Sequence, residues 1–505
     1  MLIRNHFKEL WVIYLFLLVT SLLACQENNI KGQNIISSEL LLQDIDTLES
    51  WIMKAHGDPF RFTTQENLNL RFEEARKKVK SGNGMTGEMF YGTLLPISAE
   101  LRDGHSHVFP PNSDKLEGNV FFPLKFVFVD KKPRIIKSFQ KGSAIPANSE
   151  ILEINNVPSE RLFRELVSLV NSDGNSDMIR YRRLENTMYF SRLLKVTGKS
   201  DEIYKIKLAH PDGTIQEYEL KALNQKEYRR LSRTKNKRPF EPIKFEEIED
   251  KIGYLKVKTF NGSRYKKDYN TIVDSVFIVL NKKKITKLIL DLRGNGGGDD
   301  TKNLYLLRYL MANRFALQGE LTFRQNNYKF LPDGHHWDID PRSFKANSQG
   351  TYDVTHFLWT GVDGDISTLG EFNPFENRFK GELVVLMDAF TFSAASDCAA
   401  VLHQSKRGAF IGEETGGSYI GNVSGYTPTL DLPNSNAKMN VSLINIRLPF
   451  FKSDWTDRGV LPDIAIESSV NDIIKGEDVV LKKALQTIRN SNYNNEMVET
   501  LNRIK

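Results

Sequence analysis

The rhythm of hydrophobic positions changes several times along the chain. Over residues 10–24 they run almost unbroken, interrupted only by Thr20 and Ser21. That length suits a secretory leader and is short for a membrane-spanning helix. Over 40–54, 67–80 and 89–101 apolar residues recur at helical spacing. The third stretch contains Pro96, which predicts a kink or a break. From about 118 the pattern becomes strand-like, at 120–129, 134–136 and 149–155. A helix is predicted over 159–170, with the Ser159 hydroxyl at its N-cap. From about 245 to 470 apolar strands (252–258, 287–292, 382–387) alternate with helices (269–280, 303–311, 393–403). This βαβ rhythm predicts an α/β core. Residues 313–378 are irregular and aromatic-rich, and read as an insertion or a substrate-facing loop. Five segments follow: a leader (1–25), a helical region (26–115), a β-rich module and linker (116–242), the core (243–470) and a helical tail (471–505).

Composition narrows the function classes. A 505-residue chain with 40% hydrophobic and 26% charged residues excludes wholesale disorder. Its net charge of +6 makes no basic stripe, so nucleic acid is not an expected partner. The basic run at 229–238 reads as a solvated linker. Two cysteines, Cys25 and Cys398, exclude a disulfide scaffold and a cysteine-based zinc knuckle. Cys25 follows Leu22-Leu23-Ala24 and precedes a polar run, with Arg4 and Lys8 upstream. This resembles a bacterial lipoprotein signal, which implies lipidation at Cys25 and a lipid anchor on a membrane of the cell envelope. An uncleaved membrane anchor is the alternative. Either way the chain faces the periplasm or the exterior.

Three short motifs carry candidate chemistry. Asp291-Leu292-Arg293-Gly294-Asn295-Gly296-Gly297-Gly298 ends a buried strand in glycines, whose N–H groups can turn toward an anion. No Gly-Lys-Ser/Thr follows, and Asp299-Asp300 would repel a phosphate. Thr391-Phe392-Ser393-Ala394-Ala395-Ser396-Asp397 opens a helix after a second buried strand. A serine there is either a simple N-cap or a hydroxyl at the positive helix end, beside donors for an oxyanion. Ile411-Gly412-Glu413-Glu414-Thr415-Gly416-Gly417-Ser418 is a strand end and a Gly-rich turn.

In this order the three motifs resemble the C-terminal processing (tail-specific) protease family and its tricorn-core relatives. Asp103-Gly104-His105 and Gly459-Val460-Leu461-Pro462-Asp463-Ile464 resemble two further segments of that family. The resemblance implies a crotonase/ClpP-like α/β peptidase core behind an N-terminal helical region and a PDZ-like module. It implies an extracytoplasmic serine endopeptidase that acts on peptides or unfolded protein segments and needs no cofactor or metal. Ser393 is the implied nucleophile, with Ser396 as competitor. Ala394 with Gly296 or Gly297 is the implied oxyanion hole. Where the processing proteases carry a lysine base, this chain has Ser418. The tricorn-like branch uses a histidine, here His105, with His107 the alternative. A His105/His107 metal pair joined by His335 and His336 is a rival without helical His-Glu-x-x-His spacing. The acid that would orient the base is expected near 440–447, where the sequence offers none. A peptidase-fold lipoprotein that only binds a partner is therefore the competing reading. Cys398 reads as a buried packing residue.

Overall fold

The computed structural model describes residues 34–490, apart from 113–115, 117, 141, 143, 233–238, 333–343, 349, 355–357, 362–363 and 451–456. The leader with Cys25, part of the 229–238 run, and His335 and His336 lie outside the described residues.

The core is a six-stranded sheet in the order Ile243–Glu249, Ile252–Val257, Lys287–Asp291, Glu382–Met387, Ala409–Gly412, Ile464–Ala465. The first two strands form an antiparallel pair, and every later pairing is parallel. The inner parallel strands Lys287–Asp291, Glu382–Met387 and Ala409–Gly412 are buried on both faces, which explains why they read as continuous apolar runs rather than alternation. Helices Tyr269–Lys282, Asp300–Leu310 and Ala394–Gln404 pack on one face through Phe277, Leu307 and Ala395. Helix Val479–Arg489 covers the other through Val480, Ala484 and Ile488. Arg293 reaches across to Asp478 at 2.7 Å and ties that helix to the strand end.

Ahead of the core, helices Ser38–Ala55, Gln65–Lys80 and Gly87–Leu101 share one apolar cluster with a five-strand antiparallel run. That run is ordered Ile215–Lys221, Ile203–Ala209, Glu150–Ile154, Lys132–Ser138, Leu124–Val129. Pro96 lies inside an unbroken helix. Ser159 is the first helical residue rather than the cap: Pro158 holds that position, with no side-chain hydrogen bond. Two further helices, Asp177–Leu184 and Thr187–Val196, follow it.

The insertion is more ordered than its sequence pattern suggests. Glu320–Phe323, Phe344–Ala346 and Tyr352–Val354 join Ile444–Arg447 and Val423–Ser424 in a five-stranded sheet. These strands of two to four residues are too short to show a period.

Candidate active site

Strands Lys287–Asp291, Glu382–Met387 and Ala409–Gly412 lie side by side and run parallel, so their carboxyl ends deliver the three motifs to one edge. Such edges are where open α/β sheets form their sites. The loops are stitched together. Leu292 N–H donates to Leu386 C=O at 2.9 Å, and Phe392 N–H to Asn295 C=O at 3.0 Å. The Thr391 hydroxyl donates to Leu292 C=O at 3.1 Å. Gly416 N–H donates to Thr391 C=O at 3.0 Å.

Ser393 occupies the cap position of helix Ala394–Gln404, yet its side chain makes no capping hydrogen bond. Its backbone is at φ 54°, a region that costs a non-glycine residue energy. A simple cap would adopt extended backbone and spend its hydroxyl on the helix. Ser393 does neither, and its hydroxyl stands at the positive helix end. Gly297 lies directly against it: a Cβ on Gly297 would fall 2.7 Å from the Ser393 Cβ. Ser396 is 1% exposed and donates to the Thr415 hydroxyl at 3.1 Å and Gly417 C=O at 2.8 Å. Its hydroxyl is committed to the fold.

Gly297 N–H donates to the Asn295 side-chain oxygen at 2.9 Å. Ala394 N–H belongs to the first helical residue, among the donors a helix start leaves without an internal acceptor. Gly296 is exposed, and a Cβ there would meet nothing within 4 Å.

His105 arrives from the far side. Helix Gly87–Leu101 ends on Arg102 in the left-handed conformation, which turns the chain into Asp103-Gly104-His105. The His105 ring lies 4.6 Å from that of Phe392, the neighbour of Ser393. A Cβ on Gly104 would meet the Phe392 ring at 2.5 Å, so this approach requires glycine. His105 Nδ1 is 3.6 Å from Asp103 Oδ1, an ion-pair distance longer than a hydrogen bond. Both ring nitrogens are buried without a hydrogen-bond partner among the described residues. His107 faces elsewhere, its ring 4.3 Å from Phe109. Burial, reinforced by Arg183, pushes His107 down to about 4.

Two acids missed by sequence reasoning surround His105. Asp103 is buried, accepts from His105 N–H at 2.9 Å, and pairs with the buried His56 at 2.9 Å. Asp58 N–H donates to His56 Nδ1, so Nε2 carries the proton given to Asp103. Burial alone would push the Asp103 carboxyl up; the neighbouring His105 ring and the hydrogen-bonded His56 ring outweigh it and hold it well below the usual range. Asp173 is also buried and accepts from Gly104 N–H at 2.6 Å and Ser418 N–H at 3.3 Å. It thereby joins the histidine loop to the Gly-rich turn. Burial pulls His105 down, but Asp103 and Asp173 together raise it above its ordinary value. The polar run Asn171-Ser172-Asp173-Gly174-Asn175 was the available signal for Asp173. Asp103 stood inside the quoted motif. Over 440–447 the site gains no acid: Asn445 accepts from Arg61 at 2.7 Å instead.

The ligand atoms of Asp103, His105 and Asp173 lie within 4.8 Å of one another, close enough to hold an ion. Both carboxylates already accept from the donors just described, which orient them without a metal. Cys398 is fully buried, and burial pushes its thiol far up, as suits packing rather than attack.

Residues 251–466 match the family model described as peptidase family S41. No curated protein sequence matches the chain. Among solved structures, mature CPAF superposes with a TM-score of 0.59 at 16% identity, covering 91% of this chain and 98% of its own. Mature CPAF complexed with lactacystin gives 0.57 at 14%, covering 89% and 97%. The photosystem II D1 C-terminal processing protease gives 0.40 at 15%, covering 90% and 98%. At these identities the likeness to CPAF is one of fold.

Proposed function

We propose, from the premise that residues 251–466 form an S41 peptidase domain and that the chain is a peptidase, that it is an extracytoplasmic serine endopeptidase using Ser393 and His105. The observation that carries this reading is Ser393 itself: a helix-cap serine in a strained conformation whose hydroxyl is withheld from capping.

In the proposed reaction the Ser393 hydroxyl attacks a peptide carbonyl. Its proton passes to the His105 nitrogen turned away from Asp103, Nε2. The new C–O bond moves the carbonyl electron pair onto oxygen, where Ala394 N–H and Gly296 N–H stabilise it. Gly296 is preferred to Gly297, whose N–H is held by Asn295. Collapse restores the carbonyl and expels the amine, which takes the proton from His105. Water then attacks the acyl-enzyme with the same base and frees Ser393. Asp103 orients and charges His105, the role left open in the sequence. Asp173 braces the loop that carries it. A lipid on Cys25 would hold this machinery at a membrane surface, outside the cytoplasm. Peptides and unfolded segments are the proposed substrates, because their backbone can be laid across the strand ends.

The test is covalent labelling of the full chain in detergent with a fluorophosphonate, followed by mapping of the modified residue. Labelling is expected at Ser393, absent in Ser393→Ala and slowed by about 10²-fold or more in His105→Ala. Equal labelling of wild type and Ser393→Ala would remove the nucleophile and leave the binding-lipoprotein reading.

A further inference from the structure

A cavity of about 630 Å³ opens between the helical region, the helices Asp177–Leu184 and Thr187–Val196 that lie between strands of the antiparallel sheet, and the core. Its position ties it to the reacting groups: His107, two residues after His105, and Phe390, three before Ser393, both line it. Tyr91, Leu95, Phe109 and Tyr189 make its walls apolar and aromatic.

Three arginines also line it, and two of them are neutralised. Arg182 pairs with Glu185 at 2.7 Å and Glu467 at 3.0 Å, and also with Glu413. Arg192 pairs with Glu88 at 3.2 Å. Arg183 differs. Its Nη1 donates to the Asn171 carbonyl at 2.8 Å and the Asn171 side-chain oxygen at 2.6 Å, both uncharged. Among the described residues it forms no salt bridge, the Asp173 carboxylate acting on it only through space, and the hydrogen bonds it makes are through Nη1. Beside it, His107 Nδ1 is buried and also without a partner. A half-buried guanidinium with three of its five N–H donors unspent gains from the arrival of an anion. A planar carboxylate matches its remaining fork.

One edge of this cavity is a strand. Val108–Phe109 ends the three-stranded sheet Thr429–Asp431, Lys438–Asn440, Val108–Phe109, so among the described residues its outer side has no strand neighbour. An extended peptide can pair along such an edge and project alternate side chains into an adjoining pocket.

We propose that this cavity is a specificity pocket in which a glutamate or aspartate side chain of the substrate, flanking the scissile bond, pairs with Arg183. The inference rests on the serine peptidase reading and adds the class of residue selected. A side chain is inferred rather than a chain terminus, because the cavity is lined by His107 and Phe390, two and three positions from His105 and Ser393. A terminal carboxylate there would confine cleavage to the last residue or two.

The test uses C-terminally amidated fluorogenic peptides with Glu, Gln or Lys walked through the positions on either side of the cleavage point. At one position wild type is expected to favour Glu over Gln by about tenfold or more in kcat/KM, the size of a hydrogen-bonded charge pair. Arg183→Met should bring that ratio to near one, and Arg183→Glu should turn it toward Lys. Arg183→Lys keeps the charge and loses the fork; it should retain a reduced Glu preference, which also controls for folding. Binding is read separately, by fluorescence anisotropy of uncleaved Glu and Gln peptides on Ser393→Ala, so a failed catalytic assignment does not mask the pocket. Equal binding of the two peptides would overturn the inference. So would a Glu preference that survives Arg183→Met, or a preference that follows a free C-terminus instead of the side chain.

Discussion

At Ser393 and His105, single residues pay different costs for one site. Ser393 holds φ 54° without the glycine that would relieve it. Ser393→Gly should therefore abolish fluorophosphonate labelling yet stabilise the fold by about 1 kcal/mol, read as a rise in thermal midpoint. A drop in midpoint would mean the serine side chain supports the fold. His105 carries a pKa raised by Asp103 and Asp173. As the base must be neutral, the acid limb of the labelling rate should lie above the ordinary histidine value of about 6.5. Asp103→Asn removes a charge that favours the imidazolium, so the limb should move down while the maximal rate falls. A limb that stays in place in Asp103→Asn would show that Asp103 does not govern the base. The proposed nucleophile was legible as a candidate because it sits in a motif after a strand. Asp103 stood in the sequence beside His105 without showing its role; Asp173 was not legible, since it comes from a loop about seventy residues from His105 and only folding brings them together.

Among elements, the parallel strands were the most legible. Glu382–Met387 has the bounds its apolar run predicts, because burial on both faces leaves no polar interruption. The short strands of 313–378 and the cap at Ser159 were not, because tertiary pairing decided them. The contact between the glycine loop and the nucleophile turn is equally invisible in one dimension. It yields a prediction: Gly297→Ala places a Cβ 2.7 Å from that of Ser393, at a glycine φ of 94°. Gly104→Ala places one 2.5 Å from the Phe392 ring. Both variants should lose most labelling while far-UV circular dichroism stays near wild type. Retained labelling in Gly297→Ala would show that this packing does not set the geometry of Ser393.

Across the whole molecule, buried acids set how stability answers to pH. Asp300, the first residue of its helix, is pushed up to about 7 by burial and by Asp299. Asp397 and Asp173 are raised as well, chiefly by burial. A carboxyl with a raised folded-state pKa gives stability that is present below its unfolded value, near 4, and is lost as pH rises through the folded value. For Asp300 the loss should be about 1.4 kcal/mol per pH unit between about 4 and 7, and none above that. The Asp300 contribution should therefore lower the thermal midpoint between about pH 4 and 7 and level off above, and Asp300→Asn should flatten that slope. An unchanged slope would assign the effect to other groups. Asp103 works in the opposite sense: its lowered pKa gives stability present above about 4 and lost on acidification.

His105 and Ser393 are separated by 288 positions, and the third motif lies further on still. A ribosome adding about 5–20 residues per second makes the proposed base roughly 15–60 s before the proposed nucleophile. Throughout that interval the growing polypeptide carries a histidine with nothing to deprotonate. Neither half can cut while the other is unmade, so the order of synthesis itself delays hydrolysis until the last glycine turn has been delivered.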